Sequence, residues 1–130
     1  MKNTLRLLLI CMIAGTASAQ TKPVSVLMVG GGSSHDFERW YRQEDVKTLE
    51  STGQFRVRYT DRTDSIAVYL KQTDVLILTN NQPIPEKDQK AITAFVEKGK
   101  GLVLLHAAVW YNWKEWPAYN LNYVGGGSRS

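Results

Sequence analysis

The chain has one cysteine, Cys11, and it lies within the first twenty residues. Lys2 and Arg6 precede an apolar stretch from Leu7 to Ala14, and Ala17-Ser18-Ala19 supplies the small residues that a signal peptidase reads. Residues 1–19 therefore read as a secretory signal peptide, with the mature chain beginning at Gln20 and its expected location periplasmic or secreted. The apolar stretch is too short to span a bilayer, and Ile10 is too bulky for the position before a lipoprotein cysteine. The mature chain is then left without a thiol, which excludes a disulfide framework, a thiolate nucleophile and a cysteine-based zinc site.

Excess charge is also scarce. Against 12 acidic residues stand 16 lysines and arginines, and two of those bases leave with the leader. The remainder are scattered, with no basic stripe of the kind that tracks a phosphate backbone, so they read as solvated faces and no nucleic-acid partner is expected. No run in the mature chain is long and apolar enough for a membrane span. Repeats, low-complexity tracts and linkers are missing as well, and residues 20–130 suffice for one small domain with a core.

Four runs read as strands: Val24 to Val29, Phe55 to Thr60, Asp74 to Thr79 and Gly101 to His106. The first, third and fourth are continuously apolar, as in strands covered on both faces. The second alternates Phe55, Val57 and Tyr59 with Arg56 and Arg58, which suits an edge. Between them lie helical patterns. Phe37, Trp40, Tyr41, Val46 and Leu49 form a stripe ending at Gly53. A shorter helix covers Ser65 to Gln72, and Pro85 opens a third with Ala91, Ile92, Phe95 and Val96 inward and Gly99 as its stop. The alternation predicts an α/β fold with a right-handed, doubly wound parallel sheet in strand order 2-1-3-4, the switch point lying between the first and third strands. Gly101 to His106 is too apolar for an exposed edge, yet no strand of useful length follows it. The sheet is therefore expected to be incomplete at its C-terminal side, with self-association through the uncovered edge as one consequence.

Only two histidines occur, and each stands just past the carboxyl end of a strand-like run: His35 after the first, His106 after the fourth. Ligands of open α/β sheets bind outside the carboxyl ends of the strands, which makes this edge the leading site. Imidazole suits acid/base work near neutrality or metal ligation, but two nitrogens fall short of a zinc site; a hydrogen-bonded turn role is the alternative. With one strand between them, the two rings meet only if the loop carrying His35 leans inward. Gly30-Gly31-Gly32-Ser33-Ser34-His35 has the setting of a phosphate-cradling turn, with Asp61 resembling a ribose-reading acid. His35 stands, however, where a dinucleotide fingerprint needs its third glycine. A tight turn with Ser33 or Ser34 as N-cap needs no ligand. Asn80, Asn81 and Gln82, ahead of Pro83, offer three adjacent amides to hydroxyl groups or serve as ordinary turn residues. The stretch from Val109 to Tyr119 holds three of the four tryptophans, and its rings suit sugar faces or cover a core. Nothing in the pattern identifies a cofactor.

In Gly30-Gly31-Gly32-Ser33-Ser34-His35-Asp36-Phe37, in Gly101-Leu102-Val103-Leu104-Leu105-His106, in Trp116 and in Tyr123-Val124-Gly125-Gly126-Gly127, the sequence resembles the trehalose-utilisation (ThuA-like) family over essentially the whole mature chain. The resemblance implies the class I glutamine-amidotransferase-like fold, a flavodoxin-like three-layer sandwich, in a group associated with disaccharide and oxidised-sugar metabolism. It implies domains of about twice this length and a further histidine after the Gly-Gly element, so residues 20–130 correspond to the N-terminal part of such a domain. Amidotransferases of this fold carry a nucleophilic cysteine at the turn after the strand equivalent to Gly101 to His106. His106-Ala107-Ala108 stands here instead, and amidotransfer is excluded on chemistry. The expectation is an exported domain that binds or transforms a sugar derivative at the C-terminal sheet edge, its partner a small carbohydrate. His35 and His106 would be its acid/base groups, and Gly31, Gly32, Asn80, Asn81, Trp110 and Tyr111 would hold the ligand. A non-catalytic carbohydrate-binding or interaction module is the second reading, and a nonfunctional truncated fragment the third.

Overall fold

A computed structural model describes residues 22–110 and 114–126, apart from the Trp110 side chain. The leader and Tyr111 lie outside the described residues. Four parallel strands, β1 (Val24–Val29), β2 (Phe55–Thr60), β3 (Val75–Leu78) and β4 (Gly101–Leu104), stand in the order β2-β1-β3-β4. That is the expected 2-1-3-4 sheet. β3 and β4 are shorter than their apolar runs, although single bonds extend the ladder: Thr79 N–H donates to the Val29 carbonyl at 2.9 Å and Leu105 N–H to the Leu78 carbonyl at 2.9 Å. β4 stops where it does because His106 turns to a left-handed backbone, φ 43°, which no strand continues through.

The sheet separates two cores. On one side Leu27, Val29, Leu76 and Leu78 pack with Ile66 and Leu70 of the segment built on α2 (Ile66–Tyr69), with Ile92 and Phe95 of α3 (Glu86–Glu97), and with Trp116 and Tyr119. On the other side Val26, Met28 and Ile77 meet Phe37 and Tyr41, flanked by Val46 and Leu49. The helix carrying this second set begins as π-helical turns over Glu38–Asp45 and continues as α1 (Val46–Ser51). The π-turn has a local cause: Tyr41 and Val46 are five residues apart, and an i to i+5 turn keeps both on the sheet-facing side. The same geometry corrects the expected stripe at Trp40, which is half exposed, its ring covered by the Arg39 guanidinium 4.6 Å from its centroid.

For β4 the expected cover on both faces is corrected: only one face is covered, leaving Val103 and Leu105 exposed, while its outer edge is unpaired among the described residues, as expected of an incomplete sheet. Gly99 stops α3 with φ 77°, as expected. The α3 face holds one residue that apolar periodicity overlooked. Asp88, one turn before Ile92, is fully buried, and its Oδ1 accepts the Ala67 backbone N–H at 2.7 Å, capping the start of α2 from a neighbouring helix. Asp88→Ala would orphan that donor. We expect a loss of about 1–3 kcal/mol, read as a lower midpoint in urea unfolding; an unchanged midpoint would mean that water satisfies Ala67 equally well.

Candidate functional site

The loop after β1 needs glycine at three consecutive positions for separate reasons. A side chain on Gly30 would overlap the Tyr59 hydroxyl, which lies against its backbone; one on Gly32 would overlap the Asn81 amide; and Gly31 and Gly32 have φ of 100° and 125°. Burial, with Asp61 and Glu38 adding their negative charge, pushes the Tyr59 hydroxyl up to about 12, so it stays protonated over Gly30. The close approach at Gly32 lets the loop bond sideways to the turn after β3. Asn81 N–H donates to the Gly31 carbonyl at 3.3 Å. The Gln82 amide, oriented to satisfy both neighbours, donates to the Asp61 carbonyl at 3.2 Å and accepts the Gly32 N–H at 3.1 Å. The loop is thereby drawn across the end of β3 toward β4.

That lean brings the two histidines together. His35 Nε2 lies 3.1 Å from His106 Nε2, with ring centroids 4.3 Å apart and planes at 67°. His35 Nδ1 is 2.8 Å from the Ser34 hydroxyl. If Nδ1 carries the proton and donates it to Ser34, then His35 Nε2 presents a lone pair to His106. The His35 ring also meets Phe37 edge-on at 5.9 Å, and Phe37 stacks on Tyr41 at 5.4 Å, so a buried aromatic pair supports it from below. Ser33 and Ser34 do not cap the following helix. Asp36 does, its Oδ1 accepting the Arg39 N–H at 3.0 Å, which leaves Ser34 free for the imidazole.

His106 forms an elbow between β4 and α4 (Ala107–Trp110). Ala107 and Ala108 are fully buried, one in each core, so the turn is wedged onto the sheet by residues too small to push it away. A non-glycine residue held left-handed costs about 1–3 kcal/mol and persists where surrounding packing imposes it, often at functional sites.

Asn80 and Asn81 behave differently from one another. Asn80 is fully buried, its Nδ2 donating to the Gln82 carbonyl at 3.0 Å, while its Oδ1 has no partner. Its side chain serves the turn rather than facing the edge. Asn81 is half-buried against Gly32, while Gly31 is buried and Gly32 exposed. The Trp110 side chain and all of Tyr111 fall outside the described residues. Gln82, the third of the amides the sequence offers at the end of the third strand, instead ties three loops together, and a glutamine beside a proline carries no signal of those long-range partners.

Two clefts lie away from the histidines. One of about 890 Å³ is at the opposite end of the sheet, lined by Lys22, Arg56, Arg58 and Tyr69 among others; another of about 560 Å³ flanks β4 beside Leu102, Leu104 and Tyr123. Size alone would favour the first. It lies at the amino ends of the strands, however, and ligands of open α/β sheets bind at the carboxyl ends, where the imidazole pair stands on an open surface. Among the described residues no group of three histidine, cysteine or acidic side chains is placed to hold a metal, and no helix is long and apolar enough to cross a membrane.

The family model described as ThuA, trehalose utilisation, matches residues 25–130. Curated proteins yield no match. Among solved structures, a ThuA-like protein of Bacteroides uniformis is similar with a TM-score of 0.68 and 20% identity, over 89% of this chain and 50% of that one. A ThuA-like protein of Parabacteroides merdae is similar with a TM-score of 0.60 and 24% identity, over 76% of this chain and 37% of that one. Both share the fold, and this chain spans half or less of the length of each.

Proposed function

Because this chain belongs to the trehalose-utilisation (ThuA) family, we propose that it binds or transforms a sugar derivative, a disaccharide or an oxidised sugar, at the carboxyl edge of its sheet. The observation that carries the reading is the 3.1 Å approach of His35 Nε2 to His106 Nε2. Two imidazoles sharing one proton form a ready acid/base pair. On a sugar bearing a carbonyl, the neutral ring takes the proton from the adjacent carbon. The C–H electron pair moves into an enediolate, and the protonated ring then returns a proton to the neighbouring carbon or oxygen. The step is redox-neutral and needs no thiol. Asn81, against the histidine-bearing loop, offers an amide to the ring hydroxyls.

The test is solvent deuterium exchange. Incubated in D₂O with an oxidised disaccharide, the protein should wash deuterium into the position next to the carbonyl, seen by proton NMR. Saturable binding of the sugar without wash-in would support the second reading, a carbohydrate-binding module, which the open surface around the histidines favours. Neither binding nor exchange would defeat both.

We further place the protein outside the cytoplasm, on the strength of Lys2, Arg6, the apolar stretch to Ala14 and Ala17-Ser18-Ala19. Intact-mass measurement of material from a secreting host should find Gln20 at the N-terminus. A retained Met1 would refute export by this route.

A further inference from the structure

We propose that the cleft beside β2 is a second ligand site, seating a phosphoryl group, free or esterified to a small molecule, on Arg56 and Arg58. The register of the sheet creates it. Arg56 pairs with Ser25 and Arg58 with Leu27, and Leu27 belongs to the core under α2 and α3, so both arginines stand on that face. α2 is only four residues long, and no residue of β2 enters the core on this side. The space left between β2 and the outer flank of α2 is the cleft of about 890 Å³, within the size range of small-molecule sites.

The charge of the cleft is one-sided. Lys22, Arg56 and Arg58 line it and, among the described residues, no acidic side chain does; nor does any of the three form an ion pair there. Neighbouring acids are engaged elsewhere. Asp74 takes Lys100 Nζ at 2.7 Å and the Ser25 N–H at 3.1 Å, bonds that hold its carboxyl below the usual carboxylate range. Asp64 pairs with Arg62 at 3.1 Å, and Glu50 Oε1 accepts the Val57 N–H at 3.0 Å from α1. Side chains two apart on a strand lie about 6.6 Å from each other, a spacing from which two guanidinium groups converge on one phosphoryl group, each fork matching a pair of its oxygens. Arg58 is already steadied, its guanidinium 4.7 Å from the Tyr69 ring centroid, so less side-chain freedom is lost on binding. Val68, 61% exposed, and Tyr69 offer the organic part of an ester an apolar wall. An acidic peptide added to β2 as a further strand fits less well, because Glu50 occupies the outward Val57 N–H that such a strand needs. Neither the histidines nor the sugar reading enters this argument.

Tag-free full chain labelled with ¹⁵N-arginine is titrated with inorganic phosphate, glucose 6-phosphate and glucuronate, following heat and the arginine Nε signals. We expect one phosphate or phosphate ester per chain, shifts at Arg56 and Arg58, and an affinity that falls as NaCl is raised. Arg56→Gln and Arg58→Gln, both at exposed positions, should each weaken binding roughly tenfold without moving the thermal unfolding midpoint. Arg58→Lys keeps the charge but loses the fork and the ring contact, and should weaken it as much. Tighter binding of glucose 6-phosphate than of phosphate would assign the site to an ester; equal binding would assign it to free phosphate. Absence of saturable binding, glucuronate bound as tightly as phosphate, full affinity in Arg58→Lys, or binding that survives the two glutamine substitutions combined would each overturn the proposal. So would loss of binding in His35→Gln, which would move the anion to the histidine edge.

Discussion

Removing either imidazole, by His35→Ala or His106→Ala, should slow deuterium exchange into the oxidised sugar about 10²- to 10⁴-fold, the range typical of a lost general acid or base. The two losses should not add, because the rings act as one proton-sharing unit across 3.1 Å, and the double variant should be little worse than either single one. A third variant separates chemistry from folding. His106 holds φ 43°; a side chain in that region costs about 1–2 kcal/mol, while glycine costs about 0.5–1 kcal/mol of extra chain entropy. His106→Gly should therefore be as stable as the parent or up to about 1.5 kcal/mol more stable, yet lose exchange as fully as His106→Ala. Urea unfolding beside the exchange rate reads both. A His106→Gly protein that keeps its activity would show that the elbow is shaped for packing alone.

Gly32→Ala should have the second large effect, although the residue touches no reacting atom in the scheme. Its φ of 125° is a region that side chains rarely adopt, and the added methyl would overlap the Asn81 amide. The backbone term alone is about 1–3 kcal/mol. The loop must then slide away from the end of β3, carrying His35 with it, and a displacement of about 1 Å at a reacting group can cost ~10²-fold in rate. Gly53→Ala is the matched control. Gly53 also has a positive φ, 70°, but a methyl there meets nothing within 4 Å, so it should lose stability of about 1–2 kcal/mol and no activity. Equal activity in the two variants would show that the glycine loop does not position His35.

The strands, their order, the edge character of β2 and the stop at Gly99 were legible in the residues, because each follows from short-range pattern. Continuous apolarity marks β1 and β3 as buried between layers, though not β4, whose outer face is exposed; alternation marks the β2 edge, and parallel strands joined by helices leave few allowed orders. Both histidines could be placed at the same sheet edge on those grounds. The expectation against amidotransfer also came from the residues, since His106-Ala107-Ala108 stands at the turn where that chemistry needs its cysteine. Contact between the histidines was decided only in three dimensions. It depends on Asn81 and Gln82 pulling Gly31 and Gly32 across β3, and those hydrogen bonds join residues some fifty positions apart that no local period connects. The same holds for the departures from expectation. Trp40 turns outward because a π-turn shifts the helix register to bury Tyr41 and keep the half-buried Val46 on the same side. Asp88 goes inward because the first N–H groups of α2 need an acceptor where α3 passes. Asp36 replaces the serines as cap because it stands immediately before the first helical residue, which leaves Ser34 to His35. Hydrophobic pattern sets which faces are buried; the partner of each polar group is settled only when distant segments meet.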